Sequence, residues 1–208
     1  APETTGRRAE SLFTSPLATS RRRALETPLD GADTETVAVQ NESVTIYRWG
    51  PRDRPLVLFS HGWSSFGLRV RPWVGPLIAA GYQVASFDQI AHGRSTGKHA
   101  TLPGFGTGLA AVAGHLGPSA AIIGHSLGGA AVGMALLQGA RTGRVVLIAP
   151  PAEAAAAVSR FARHIGLGRR ALQRMRHAVV ERAGVALESV AVEAQAPPHG
   201  VTAQVKHD

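Results

Sequence analysis

Two rhythms of apolar and polar positions run along this chain. Val37-Ala38-Val39 and Val44-Thr45-Ile46-Tyr47-Arg48-Trp49 alternate with period two around the polar Gln40-Asn41-Glu42-Ser43. That alternation predicts a hairpin, which Gly50-Pro51-Arg52-Asp53-Arg54-Pro55 ends. Leu56-Val57-Leu58-Phe59-Ser60 is instead an unbroken apolar run, as in a strand buried on both faces of a parallel sheet. Val84-Ala85-Ser86-Phe87 and Ala120-Ala121-Ile122-Ile123 read as further strands. Between them, residues 71–81 carry proline in the first turns and Gly81 as a stop, which predicts a helix. Residues 102–116 alternate small and apolar residues with four glycines, so a helix there depends on packing. Ala130 to Leu137 is a small-residue helix, and residues 152–165 and 169–183 read as two more, separated by Gly166-Leu167-Gly168.

At 208 residues the chain has length for one domain with a full core plus insertions. Its formal charge of +8 comes almost wholly from arginine, with Lys98 and Lys206 the only lysines. A nucleic-acid binder would gather that charge on one face and interleave aromatics to stack bases. Here the arginines are scattered and aromatics few, so no nucleic-acid partner is expected. The absence of cysteine removes disulfides and thiolate metal sites and leaves the redox compartment open. No apolar run approaches the ~20 residues needed to span a bilayer, so no stable membrane insertion is expected. Residues 1–28 lack the apolar core of a signal peptide, and cytoplasm is the default location. The first residue is alanine, which points to processing or to a fragment. Residues 1–35 read as a basic N-terminal extension with one apolar patch, Leu12-Phe13. Arg21-Arg22-Arg23 is expected as the solvated face of a short helix or as a mobile arm.

Chemistry concentrates at Gly124-His125-Ser126-Leu127-Gly128, where an apolar strand meets a helix. A serine on so sharp a turn needs neighbours almost without side chains, and Gly124 and Gly128 meet that need. Ser126 is the candidate nucleophile. The Leu127 N–H, at a helix N-terminus, is placed to stabilise an oxyanion. Upstream, the strand ending at Ser60 runs into His61-Gly62-Trp63. Gly62 lets that loop fold under the serine, with the Trp63 N–H as second oxyanion donor. Gly104-Phe105-Gly106-Thr107-Gly108 does not directly follow a strand, and nothing downstream completes a phosphate-binding signature. His61, His92, His99, His115 and His125 lack the spacing of a zinc helix, so neither metal nor cofactor is expected.

His61-Gly62-Trp63, Asp88-Gln89-Ile90-Ala91-His92-Gly93-Arg94-Ser95 and Gly124 through Gly129, each after an apolar strand, resemble the α/β-hydrolase family. The likeness to bacterial serine esterases and lipases runs from about Thr36 to the end of the chain, and Val145-Val146-Leu147-Ile148-Ala149-Pro150-Pro151 is similar to the strand after the nucleophile helix in bacterial members. The resemblance implies an α/β fold: a mostly parallel sheet with helices on both faces and a helical cap insertion. It divides the chain into a core at 36–150, a helical cap or cover at 151–195 and the start of an incomplete C-terminal core segment at 196–208. Phe161, Leu167, Leu172 and Met175 would face the pocket or the sheet, or serve only as helix cover. Asp88 and His92 would shape the loop beside the nucleophile.

The implied activity is cleavage of a carboxylic ester or related acyl compound through an acyl-enzyme on Ser126, its partner a small-molecule acyl substrate. Thioester or carbon–carbon cleavage would use the same residues. In this family acid and histidine follow the serine. Residues 201–208 resemble the strand that delivers the acid, with Asp208 two or three residues short. The triad acid and histidine are therefore expected beyond residue 208, with the last strands and helix missing and activity impaired. His164 and His177 read as surface residues on cap helices, while His199 and His207 are the alternative bases. A non-catalytic ligand-binding or interaction protein on the same scaffold is the other reading, and the final strand would carry an unpaired edge.

Overall fold

The computed structural model describes residues 2–151, 154–186 and 202–206. Two helices open the chain, α1 (Pro2–Thr14) and α2 (Ala18–Glu26), followed by the hairpin β1 (Asp33–Val39) and β2 (Glu42–Trp49). Then come β3 (Leu56–Ser60), a short 3₁₀ turn Gly67–Val70, α3 (Arg71–Ala79), β4 (Gln83–Phe87), α4 (Leu102–Leu116), β5 (Ala121–His125) and α5 (Leu127–Leu137). The remaining described elements are β6 (Arg144–Ile148), α6 (Ala154–His164), α7 (Arg169–Ala183) and β7 (Thr202–Lys206). No helix among the described residues is long and apolar enough to cross a membrane.

All seven strands form one sheet in the order β1-β2-β4-β3-β5-β6-β7. β1 and β2 pair antiparallel, β2 joins β4 antiparallel, and every pairing from β4 to β7 is parallel. The mostly parallel sheet with helices on both faces is the architecture the sequence implied. Its apolar runs explain the centre, for β3 and β4 are buried at every position. Leu58, Ala85 and Ile122 look into a core shared with Phe105 and Leu109 of α4 and Ala131 and Ala135 of α5. Phe59 and Val84 look the other way, onto Phe66, Leu68, Val74 and Leu77 of the 3₁₀ turn and α3. The four glycines of α4 are consistent with a helix held by packing. A Cβ on Gly106 would lie 2.7 Å from the Cβ of Met134 on α5, so the two helices need a glycine there.

The basic N-terminal extension packs against the rest of the chain. Gly6, Ala9, Glu10 and Thr14 of α1 are buried, and Ala9 joins Val158, Ala162, Met175 and Val179 of the cap in a separate apolar cluster. Phe161, Leu167, Leu172 and Phe13 complete that cluster, with the Phe13 and Phe161 rings 5.3 Å apart. The apolar face of α6 and α7 therefore meets α1. Fully burying side chains such as Val158 and Met175 contributes about 1.5–3 kcal/mol each, and α1 supplies much of the cover. α2 is held as firmly. Arg94 donates to the Ala24, Leu25 and Thr27 carbonyls, and Arg21 to those of Ser95 and Gly97. Of the three consecutive arginines, Arg22 and Arg23 stay solvated.

Candidate active site

Three backbone segments converge on Ser126. It stands between β5 and α5 with φ 51° and ψ −127°, a conformation that non-glycine residues rarely hold. Its N–H donates to the Ile148 carbonyl at 2.8 Å, and its own carbonyl accepts from the Gly129 and Ala130 N–H groups, so strand and helix fix the turn from both ends. A Cβ on Gly124 would lie 2.5 Å from the Gly129 Cα, and one on Gly128 would run into the Ser60 and His61 carbonyl oxygens. A Cβ on Gly62 would come within 2.8 Å of the Ser126 Cβ and 3.3 Å of its Oγ. Gly124 is thus required by the close pass of β5 and α5, and Gly62 and Gly128 by the end of β3 and its loop tucked under the serine. Among the described residues, neither the Trp63 nor the Leu127 backbone N–H has a partner, and both residues line the same cavity as Ser126.

Beneath this turn lies a layer of buried polar groups, almost all paired. Gln89 N–H donates to His61 Nε2 at 3.0 Å, so the proton sits on Nδ1, which donates to the Gly62 carbonyl at 2.7 Å. His92 repeats the arrangement, with Ser64 N–H on its Nε2 and its Nδ1–H on the Ile90 carbonyl. Burial pushes His61 down to about 4 and His92 to about 3, each also disfavoured by a neighbouring histidine. Both rings stay neutral at pH 7 with their lone pairs engaged, and they pack edgewise among Trp63 and Phe105. Their geometry is that of scaffold. Asp88 accepts from Tyr47 Oη at 2.5 Å and from the Gly67 and Arg94 N–H groups. Burial pushes its carboxyl up while these donors pull it down.

The cavity beside Ser126 has a volume of about 290 Å³, and its walls are mostly apolar, including Phe13, Trp63, Leu102, Val158, Val179 and Val185. Its cap side comes from α6 and α7, and α1 adds Phe13 and Thr14. Sequence reasoning did not anticipate these two, Arg160 of α6, or the lining positions Leu102, Val158 and Val179, and the four residues it offered for the pocket or the sheet, Phe161, Leu167, Leu172 and Met175, pack with α1 instead. The only signal for α1 was the Leu12-Phe13 patch, and of that pair Phe13 turns inward while Leu12 stays 65% exposed.

The structure brings Gly62, Trp63, Gly124, Ser126, Leu127 and Gly128 together and puts His61 directly below. His125 points away from the cavity and is exposed. Among the described residues no histidine or carboxylate bonds Ser126 Oγ. His164 and His177 are exposed on the cap helices. Glu188, Glu193, His199, His207 and Asp208 lie outside the described residues. Among the described residues no three histidine or acidic side chains cluster closely enough to hold a metal ion.

A family model described as the alpha/beta hydrolase family matches residues 57–204. In sequence the chain is similar to the bifunctional esterase/perhydrolase of Acinetobacter calcoaceticus, 36% identical over 91 residues. That match takes in 40% of this chain and 32% of the relative, so it spans about a third of the relative's length. In structure it is similar to a putative hydrolase from Agrobacterium vitis, with a TM-score of 0.58 and 16% identity over 85% of this chain and 90% of that one. The thioesterase domain from the curacin biosynthetic pathway gives a TM-score of 0.54 and 18% identity over 83% of this chain and 82% of that one. At such identities the structural likenesses speak for the fold.

Proposed function

The chain belongs to the alpha/beta hydrolase family, and from that premise we propose that it hydrolyses a carboxylic ester or related acyl compound through an acyl-enzyme on Ser126. Ser126 Oγ adds to the carbonyl carbon, and the Trp63 and Leu127 N–H groups hold the oxyanion that forms. Collapse of that intermediate breaks the bond to the leaving alcohol, which takes the proton the serine gave up. Water then adds to the acyl-enzyme, breaks the Ser126 ester and releases the carboxylic acid. In this reading the proton carrier is a histidine following the serine in sequence, outside the described residues, oriented by an acid.

The observation that carries the reading is the pairing of a serine at φ 51° with two backbone donors that have no partner among the described residues, at the same apolar cavity. A fluorophosphonate probe and a short-chain p-nitrophenyl ester test it. Wild type should label at Ser126 and turn the ester over, and Ser126→Ala should do neither. Where a serine hydrolase loses its base, turnover falls on the order of 10⁶-fold, with about 10³ over water remaining from the oxyanion hole and binding. The measured rate therefore reads whether a base reaches the serine. A second reading, a ligand-binding protein on this scaffold, is favoured by the unbonded Ser126 hydroxyl. A folded chain that binds esters without labelling or turnover would establish it.

A further inference from the structure

Of the polar side chains lining the cavity, two are already engaged. Thr14 Oγ1 lies 3.0 Å from the Glu10 carbonyl, 3.1 Å from its carboxylate and 3.0 Å from His99 Nδ1, while Thr101 Oγ1 accepts the Gly104 N–H as the cap of α4. That leaves Ser126, Arg160 and the Trp63 indole N–H as the lining side-chain polar groups with no partner among the described residues. Among the described residues Arg160 is also the one charged residue lining the cavity. The described carboxylates of α1 and α7 are paired. Glu3 pairs with Arg7 and Arg174, Glu10 with Arg182, and Glu181 with Arg7. Residues 154–186 carry seven arginines against the single Glu181, of which Arg174 and Arg182 are paired with carboxylates of α1.

We infer that the cavity takes an anionic acyl substrate, in which a carbonyl for Ser126 and a carboxylate or phosphate for Arg160 are joined by a short apolar segment. This rests on the reading of Ser126 as nucleophile for the carbonyl end, while the anion end stands on Arg160 alone. A guanidinium is charged at every pH a protein survives and presents a planar fork matched to carboxylate and phosphate oxygens. A volume of about 290 Å³, at the small end for ligand pockets, selects a compact connecting segment.

The test is a binding measurement in the full chain carrying Ser126→Ala, which stops turnover. Calorimetric titration compares dimethyl adipate with monomethyl adipate and methyl 4-phosphonobutanoate. At least one anionic ester should bind ten-fold or more tighter than the neutral diester, and the tighter of the two identifies the preferred anion. Adding Arg160→Met, an exposed position expected to leave the melting temperature unchanged, should bring all three ligands to the affinity of the diester. Equal binding of neutral and anionic esters overturns the inference, as does no binding at all. A preference surviving Arg160→Met also overturns it, because diffuse charge then accounts for it. Fluorophosphonate labelling of wild type tests the nucleophile separately, so failure of the anion site and failure of the hydrolase reading are told apart.

Discussion

Phe59 of β3, Ile123 of β5 and Val146 of β6 stand side by side in register on one face of the sheet, yet they live in different surroundings. Phe59 is 6% exposed, with the Trp73 ring edgewise 5.8 Å away and the 3₁₀ turn and α3 above it. Ile123 and Val146 are only partly buried, and His125, further along the same face, is exposed. β4 is buried at every position whereas β6 is buried only at Val145, although both are short parallel strands of largely apolar sequence. Apolar composition sets which strands form. Whether both faces are buried depends on what the intervening segments lay across them, and among the described residues α3 reaches no further than the strands around β3.

The largest effect should come where the covered half meets the nucleophile. Gly128→Ala drives a Cβ into two backbone carbonyl oxygens that no rotamer change can relieve. It should cost at least about 3 kcal/mol, read as a melting temperature lower by roughly 6–12 °C. A variant melting within 2 °C of wild type would show that the loop is not packed under the turn. Next, Phe59→Ala should cost about 3–5 kcal/mol by opening a cavity beneath Trp73, measured by urea denaturation.

Acid should follow. His61 and His92 titrate near 4 and near 3 in the folded chain, from an ordinary value of 6.5. The unfolded chain therefore binds more protons in between, so stability is full above pH 6.5 and falls as the pH drops toward 4. Asp88, raised by burial, works in the opposite sense from 3.8 upward. By themselves the two rings remove about 2 kcal/mol each by pH 5, about 4 kcal/mol together. His92→Asn should flatten the decline, and an unchanged slope would acquit that ring. The smallest effect is expected on the open face. Val146→Ala should cost no more than about 1 kcal/mol, and a loss equal to that of Phe59→Ala would abolish the contrast between the two halves.

These differences also explain what was legible in the residues. The nucleophile turn could be read because its constraint is local. Gly124 and Gly128 flank Ser126 within five residues, and their backbone clash partners are the start of α5 and the end of β3, both identified by the motifs themselves. The two cap helices and the hairpin were readable from periodicity for the same reason. Phe13, Thr14 and Arg160 were not, since their meaning depends on α1 lying along α7, a contact between distant parts of the chain. The basic, polar composition of residues 1–28 argued for an arm, and the buried side of α1 is carried by small residues that a hydrophobicity pattern barely registers. The depth to which Ile123 and Val146 are buried was unreadable too, because partly and fully buried strands have the same apolar run.

The ion pair between Glu10 and Arg182 joins residues 172 positions apart. On the ribosome, where chains grow at about 5–20 residues per second, α1 waits roughly 10–30 s for the helix it packs against. During that interval Ala9 and Phe13 have no partner and Glu10 no cation. α1 is thus made well before α7 and is among the last of the described elements to find its place. A nascent chain stalled after α5 should expose it to proteases and to chaperones that bind apolar helices, and a chain released after α7 should hide it.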